Sequence, residues 1–266
     1  MVDISWILLH AFLIVAPSGN TKFSVAPDAC RADYCDGRTY SSFYGGYVHR
    51  ETPEEGEARY LGIVDAMIVA AQTELCIDPS GAKIANCAPN PKAKGWTVSE
   101  LLQKASGIAI AESGLREDVE VGRGRAAKKT APNPDDAGGQ GRGPNGEACL
   151  MQIIPGAIVQ FAPDGDRTPE SLLGSDPEPL VRCFRTGMRM LIQARSYCDW
   201  TMASVVKANP AYQYDRTYGM FSLYGTGYSC MSMHGTKTSI RVALANRMGA
   251  EMKRQRALAL KPLAAR

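Results

Sequence analysis

Between Trp96 and Glu112 the chain carries a segment that is apolar nearly all round, and this narrows the folds open to it more than any other stretch. Thr97-Val98-Ser99-Glu100 reads as a capping box, in which the Thr97 hydroxyl and the Glu100 carboxylate take up N–H groups that a first helical turn leaves without partners. A helix therefore starts at Thr97. At about 100° per residue, Leu101, Ala105, Ile108 and Glu112 form a narrow stripe, Val98 and Leu102 flank it, and Ile110 lies opposite. A helix apolar nearly all round has to be enclosed by other elements. It delivers Glu112 to a poorly solvated place at its C-terminal end, where burial and the macrodipole both disfavour negative charge. A carboxylic acid kept protonated in this way is the group needed to protonate a glycosidic oxygen as the sugar bond breaks.

Two further segments extend the pattern. After Glu112-Ser113 come Cys149-Leu150-Met151-Gln152 and then Leu223-Tyr224-Gly225-Thr226-Gly227. In this order the three pieces resemble the signature of the soluble lytic transglycosylases and goose-type lysozymes: a helix-ending Glu-Ser, then Gly-Leu-Met-Gln, then an Ala-Tyr-Asn-Ala-Gly-like segment. The matching residues cover a minority of the chain. It departs from the pattern at Cys149, where the family usually has Gly, and at Gly225, where it usually has Asn.

The resemblance implies a mainly α fold of the lysozyme-like α+β kind, a helical bundle with a small loop-rich, β-containing lobe beside the active-site cleft. It implies cleavage of the MurNAc-GlcNAc β-1,4 bond of peptidoglycan, with Glu112 as general acid and then base. By the same resemblance Ser113 orients that carboxylate, Met151 lines the cleft, Gln152 hydrogen-bonds sugar and Tyr224 braces the reacting centre. No cofactor or metal is called for. The motifs identify one carboxylate, whereas hydrolysis normally takes two; Asp118, Asp135, Asp136 and Glu147 are the candidates for a second. With one carboxylate the economical reaction is intramolecular and yields 1,6-anhydromuropeptides. A muramidase of the same fold and an inactive glycan-binding or structural module are the alternatives.

Residues Ile4 to Ala16 form an apolar run shorter than the roughly 20 residues that span a bilayer, near the size of a secretory h-region. Residues 1–19 are read as an export signal or short anchor, the only expected contact with a membrane, against a buried helix of the folded domain as the other reading. The eight cysteines all lie beyond that run, and none forms the Cys-x-x-Cys pairs of a zinc site. Disulfides and an exported location, periplasmic, cell-envelope or extracellular, are expected. Short loops favour Cys30 with Cys35 and Cys76 with Cys87, leaving Cys149, Cys183, Cys198 and Cys230 to staple the catalytic part.

Residues 20–50 read as a Cys/Tyr-rich arm and 51–266 as the catalytic domain. Within it, apolar residues recur at helical spacing from Gly56 to Leu75, a helix expected to pack on the Thr97 helix. The Gly-rich, charged stretch from Glu117 to Glu147 reads as a surface loop. Asp176-Pro177 starts a helix whose buried face runs to Tyr197, with a short helix after Trp200. Ser239 to Leu260 reads as a terminal helix with Ile240, Leu244, Met248 and Met252 as its stripe and a basic outer face. Other chemistries have little to rest on: the three histidines, His10, His49 and His234, sit in no nucleophile motif. A net charge of +3 without a basic, aromatic-interleaved stretch argues against nucleic acid, and suits an anionic polymer such as peptidoglycan.

Overall fold

A computed structural model describes residues 3–19, 53–78, 81–115, 117–120, 146–226, 229–231 and 236–260. The helices are α1 (Ile4–Gly19), α2 (Pro53–Leu75), α3 (Val98–Ser113), the single turn α4 (Glu117–Glu120), α5 (Pro155–Phe161), α6 (Pro177–Ala208), α7 (Arg216–Thr226) and α8 (Thr236–Ala259), with a 3-10 turn at Pro169–Leu172. Among the described residues there is no strand, only isolated bridges between Ile77 and Lys83 and between Ala148 and Ile153. The expected arm at 20–50, the Cys30–Cys35 pair, Gly227, and Asp135 and Asp136 of the Gly-rich loop lie outside the described residues.

Helix α3 is the axis of the molecule, with α1, α2, α6 and α8 all packed against it. Residues on every side of it are buried, Ile110 as fully as Leu101 and Ile108. Its start follows half of the expected capping box: Thr97 is the N-cap and its Oγ1 accepts from the Glu100 N–H at 3.1 Å. The Glu100 carboxylate turns instead to Arg195 of α6, whose Nη1 donates to it at 3.4 Å. That guanidinium also lies 4.6 Å from the centroid of the Trp96 ring, so a residue of α6 clamps the entry to α3.

The α3–α8 contact sets the geometry of the site. A β-carbon at Gly107 would come 2.6 to 2.7 Å from the backbone and side chain of Ala245, so the two helices touch backbone to backbone there. One turn along, a β-carbon at Gly249 would meet the Gln103 side chain. The helices therefore run antiparallel in a register that pairs Gln103 with Gly249 and Gly107 with Ala245, and that register carries Glu112 to Arg241.

The other large interface joins α2 to α6, and α6 rather than α3 is the main partner of α2. Helix α6 departs from expectation in being continuous over 32 residues. Cys198 and Met202 extend its buried face past Tyr197, so the helix has no reason to break at Trp200. Three disulfides close the described part: Cys76–Cys87, as the short loop favoured, Cys149–Cys183 and Cys198–Cys230. Such bridges persist in an oxidising compartment.

Helix α1 is a core element. Leu8, Ala11 and Phe12 have no exposed surface, Phe12 lies 6.5 Å from the Tyr60 ring of α2, and the helix packs on α2 and α8. Its 16 residues extend about 24 Å, short of a hydrocarbon layer of roughly 30 Å. No helix among the described residues is long and apolar enough to cross a membrane. The run expected as a leader at 1–19 is helical from Ile4 to Gly19, and its apolar residues pack on α2 and α8.

Candidate functional site

Helix α3 ends at Ser113, with Gly114 in the left-handed conformation (φ 63°) and its N–H bonded to the Ile110 carbonyl at 2.9 Å. The Ser113 hydroxyl donates to the Ala109 carbonyl at 2.7 Å and accepts from the Leu115 N–H at 3.1 Å. It is therefore spent on closing the helix. The side chain bonded to Glu112 is that of Arg241.

Arg241 reaches in from α8 and is buried, with 5% of its surface exposed. Its Nε donates to Glu112 Oε1 at 2.6 Å, and Nη2 contacts the same oxygen. Nη1 donates to the Phe221 carbonyl of α7 at 3.3 Å. The guanidinium carbon lies 5.9 Å from the centroid of the Tyr224 ring. Arg241 therefore ties α8, the end of α3 and the end of α7 together through one planar group. Glu112 itself stays at the edge of the core, its side chain 11% exposed.

Tyr224 is the third member. Its hydroxyl donates to the Met151 carbonyl at 3.0 Å. Burial first, and then the negative charge of Glu112, push its phenol far above the ordinary tyrosine value, with Arg241 opposing them in part. It stays protonated and acts as a donor. Tyr224 thus links the turn that carries Met151 to the pair Glu112–Arg241, bringing residues from three distant segments together.

The turn itself is closed by reciprocal backbone bonds between Ala148 and Ile153, each 2.9 Å. Cys149 and Gln152 within it have φ of 58° and 49°, the left-handed region that favours glycine. Here the Cys149–Cys183 bridge anchors the turn to α6. Met151 is fully buried, its side chain packed against α6 at Gly187. Gln152 commits its Nε2 to the Cys149 carbonyl at 3.0 Å. Replacing Cys149 and Cys183 together by serine should lower stability by about 2–4 kcal/mol, read from urea denaturation, since a bridge spanning 34 residues is lost. An unchanged midpoint would mean the bridge does not form.

Arg241 was missed in the sequence because the terminal helix was read with a basic outer face. A signal for it exists: Arg241 precedes Met248 by seven residues, which places it about 20° from Met248 and inside the apolar stripe. A charged residue at the centre of a buried stripe calls for a buried counter-charge. Of the candidate second carboxylates, Glu147 lies half-buried beside the Ala148–Ile153 turn, and the side chain of Asp118 lies outside the described part. Among the described residues, no group of three or more His, Cys, Asp or Glu side chains is placed to hold a metal ion. Compared with protein-family models, with curated proteins and with solved structures, the chain matches none.

Proposed function

We propose that this chain is a lytic transglycosylase with a lysozyme-like arrangement of helices, acting on the MurNAc-GlcNAc β-1,4 bond of peptidoglycan. The observation that carries the reading is the meeting of Glu112 and Tyr224 at one buried guanidinium, with the Tyr224 hydroxyl bonded to the Met151 carbonyl, from three segments that resemble one family's motifs. In the reaction Glu112 gives its proton to the glycosidic oxygen as the C1–O bond breaks, and the neighbouring N-acetyl oxygen supports the electron-poor C1. The sugar's 6-hydroxyl then closes on C1 and Glu112 takes the hydroxyl proton, so the carboxyl group ends as it began. Both Arg241 contacts fall on Oε1, which leaves Oε2 without an Arg241 contact.

The ion pair also favours a second reading. A carboxylate held by a buried guanidinium serves equally as a structural counter-ion, and then the chain is a glycan-binding or structural module without activity. Digestion of purified cell walls separates the two. The wild-type protein should release anhydromuropeptides, and Glu112→Gln should lose at least about 100-fold of that activity while keeping its fold, because the amide cannot donate the proton. Products heavier by one water and reducible by borohydride would make it a hydrolase and turn attention to Asp118, Asp135, Asp136 and Glu147. Binding to cell walls without any release would establish the module.

A further inference from the structure

We propose that Arg241 is the positioning residue of the reacting carboxylate, and that Gly225 is glycine in order to admit it. The inference rests on the reading of Glu112 as proton donor and adds the part that aims it. A glutamate at the end of a helix can turn about three side-chain bonds, and either of its oxygens could face a substrate. General-acid catalysis needs one oxygen within hydrogen-bond reach of the leaving atom, so the carboxyl group has to be held. The guanidinium holds it: Nε and Nη2 meet on Oε1, and Nη1 is fixed to the Phe221 carbonyl at 3.3 Å. The same group lies against the Tyr224 ring, whose hydroxyl is bonded to Met151. Arg241 is enclosed to 95% and touches Glu112 from the side of α8, so it acts through the carboxylate.

Gly225 is the second half of the arrangement. It is the last residue but one of α7, and its backbone is not in the left-handed region that would call for glycine. What its missing side chain provides is room, because a β-carbon there would overlap Arg241 Nη1. The departure at Gly225 and the arginine on α8 are therefore one feature. Neither residue could be exchanged alone without moving the guanidinium or leaving the carboxylate unaimed.

The test is steady-state cleavage of soluble, uncrosslinked glycan strands by single variants, with thermal melting measured alongside. Arg241→Met and Gly225→Ala should each lower kcat about 10- to 100-fold while KM stays within about twofold, the pattern of a misplaced reacting group. Arg241→Lys, which keeps the charge but loses the planar fork, should fall between these and wild type. Guanidinium ion at millimolar concentration should restore part of the kcat of Arg241→Ala. The double variant Glu112→Gln, Arg241→Met replaces the pair by neutral groups and should melt above Arg241→Met alone, separating stability from rate. Wild-type kcat in Arg241→Met and Gly225→Ala, with Glu112→Gln inactive, overturns this inference and leaves Glu112 as the acid. A loss confined to KM, or one accounted for by the unfolded fraction, also overturns it. Wild-type cleavage by Glu112→Gln removes the reading of Glu112, and this inference with it.

Discussion

Phe12→Ala should lower the stability of the folded chain by about 3–5 kcal/mol, equivalent to a fall on the order of 10 °C in melting temperature for a domain of this size. Phe12 has no exposed surface and stands between α1 and the Tyr60 ring of α2, so truncation opens a cavity that the surrounding helices fill only in part. Leu8, equally enclosed on the same face of α1, should behave in the same way, at about 2–5 kcal/mol for Leu8→Ala. The result distinguishes the two readings of the N-terminal run. A leader makes no contribution to the folded domain, and its substitution would leave the denaturation midpoint of the purified protein where it was. A core helix cannot be altered at Phe12 without a shift.

Glu74→Ala should cost a similar amount, about 3–5 kcal/mol, because it leaves two arginines facing each other across the α2–α6 contact. Glu74 is 2% exposed, and its Oε1 accepts from the Nε of both Arg185 and Arg189 at 2.9 Å. Arg189 also reaches toward the Ala162 carbonyl at 3.4 Å, and the Asn90 side chain lies 3.4 Å from Glu74 Oε2. The cost belongs to breaking the group rather than to the group itself. A triple variant, Glu74→Met with Arg185→Met and Arg189→Leu, should therefore recover most of the loss, since an apolar cluster of similar volume needs no counter-charge. Denaturation of the single and triple variants in urea provides the comparison; equal midpoints for Glu74→Ala and wild type would show that the carboxylate is dispensable.

The helices themselves were legible because their causes are local. Thr97 caps α3, Asp176-Pro177 opens α6, and the apolar spacing of 56–75 marks α2. Enclosure of α3 also followed from its composition, as a helix with no polar side has only one stable setting. The Cys76–Cys87 bridge was legible for the same kind of reason, since the loop between them is short. Errors arose where a local reading had a distant competitor. The Glu100 half of the capping box was lost to Arg195, and the separate short helix expected after Trp200 is instead part of α6, because Cys198 and Met202 pack inward. The run at 4–16 has the length and polarity of a leader, and its packing on α2 and α8 is visible only in the tertiary structure.

For the candidate site, sequence alone singled out one carboxylate at the end of an enclosed helix, a turn and a tyrosine, in a recognisable order. It could not determine which side chains satisfy one another. Arg241 and Glu112 are 129 positions apart, and Arg185 and Arg189 lie more than a hundred from Glu74. Pairings of that range depend on helix register, which the close approach of Gly107 to Ala245 sets for α3 and α8. Local propensity decides where a helix begins and which face is apolar. Which buried charge meets which is decided only when the helices dock, because the cost of an unpaired charge is felt only after water has been excluded.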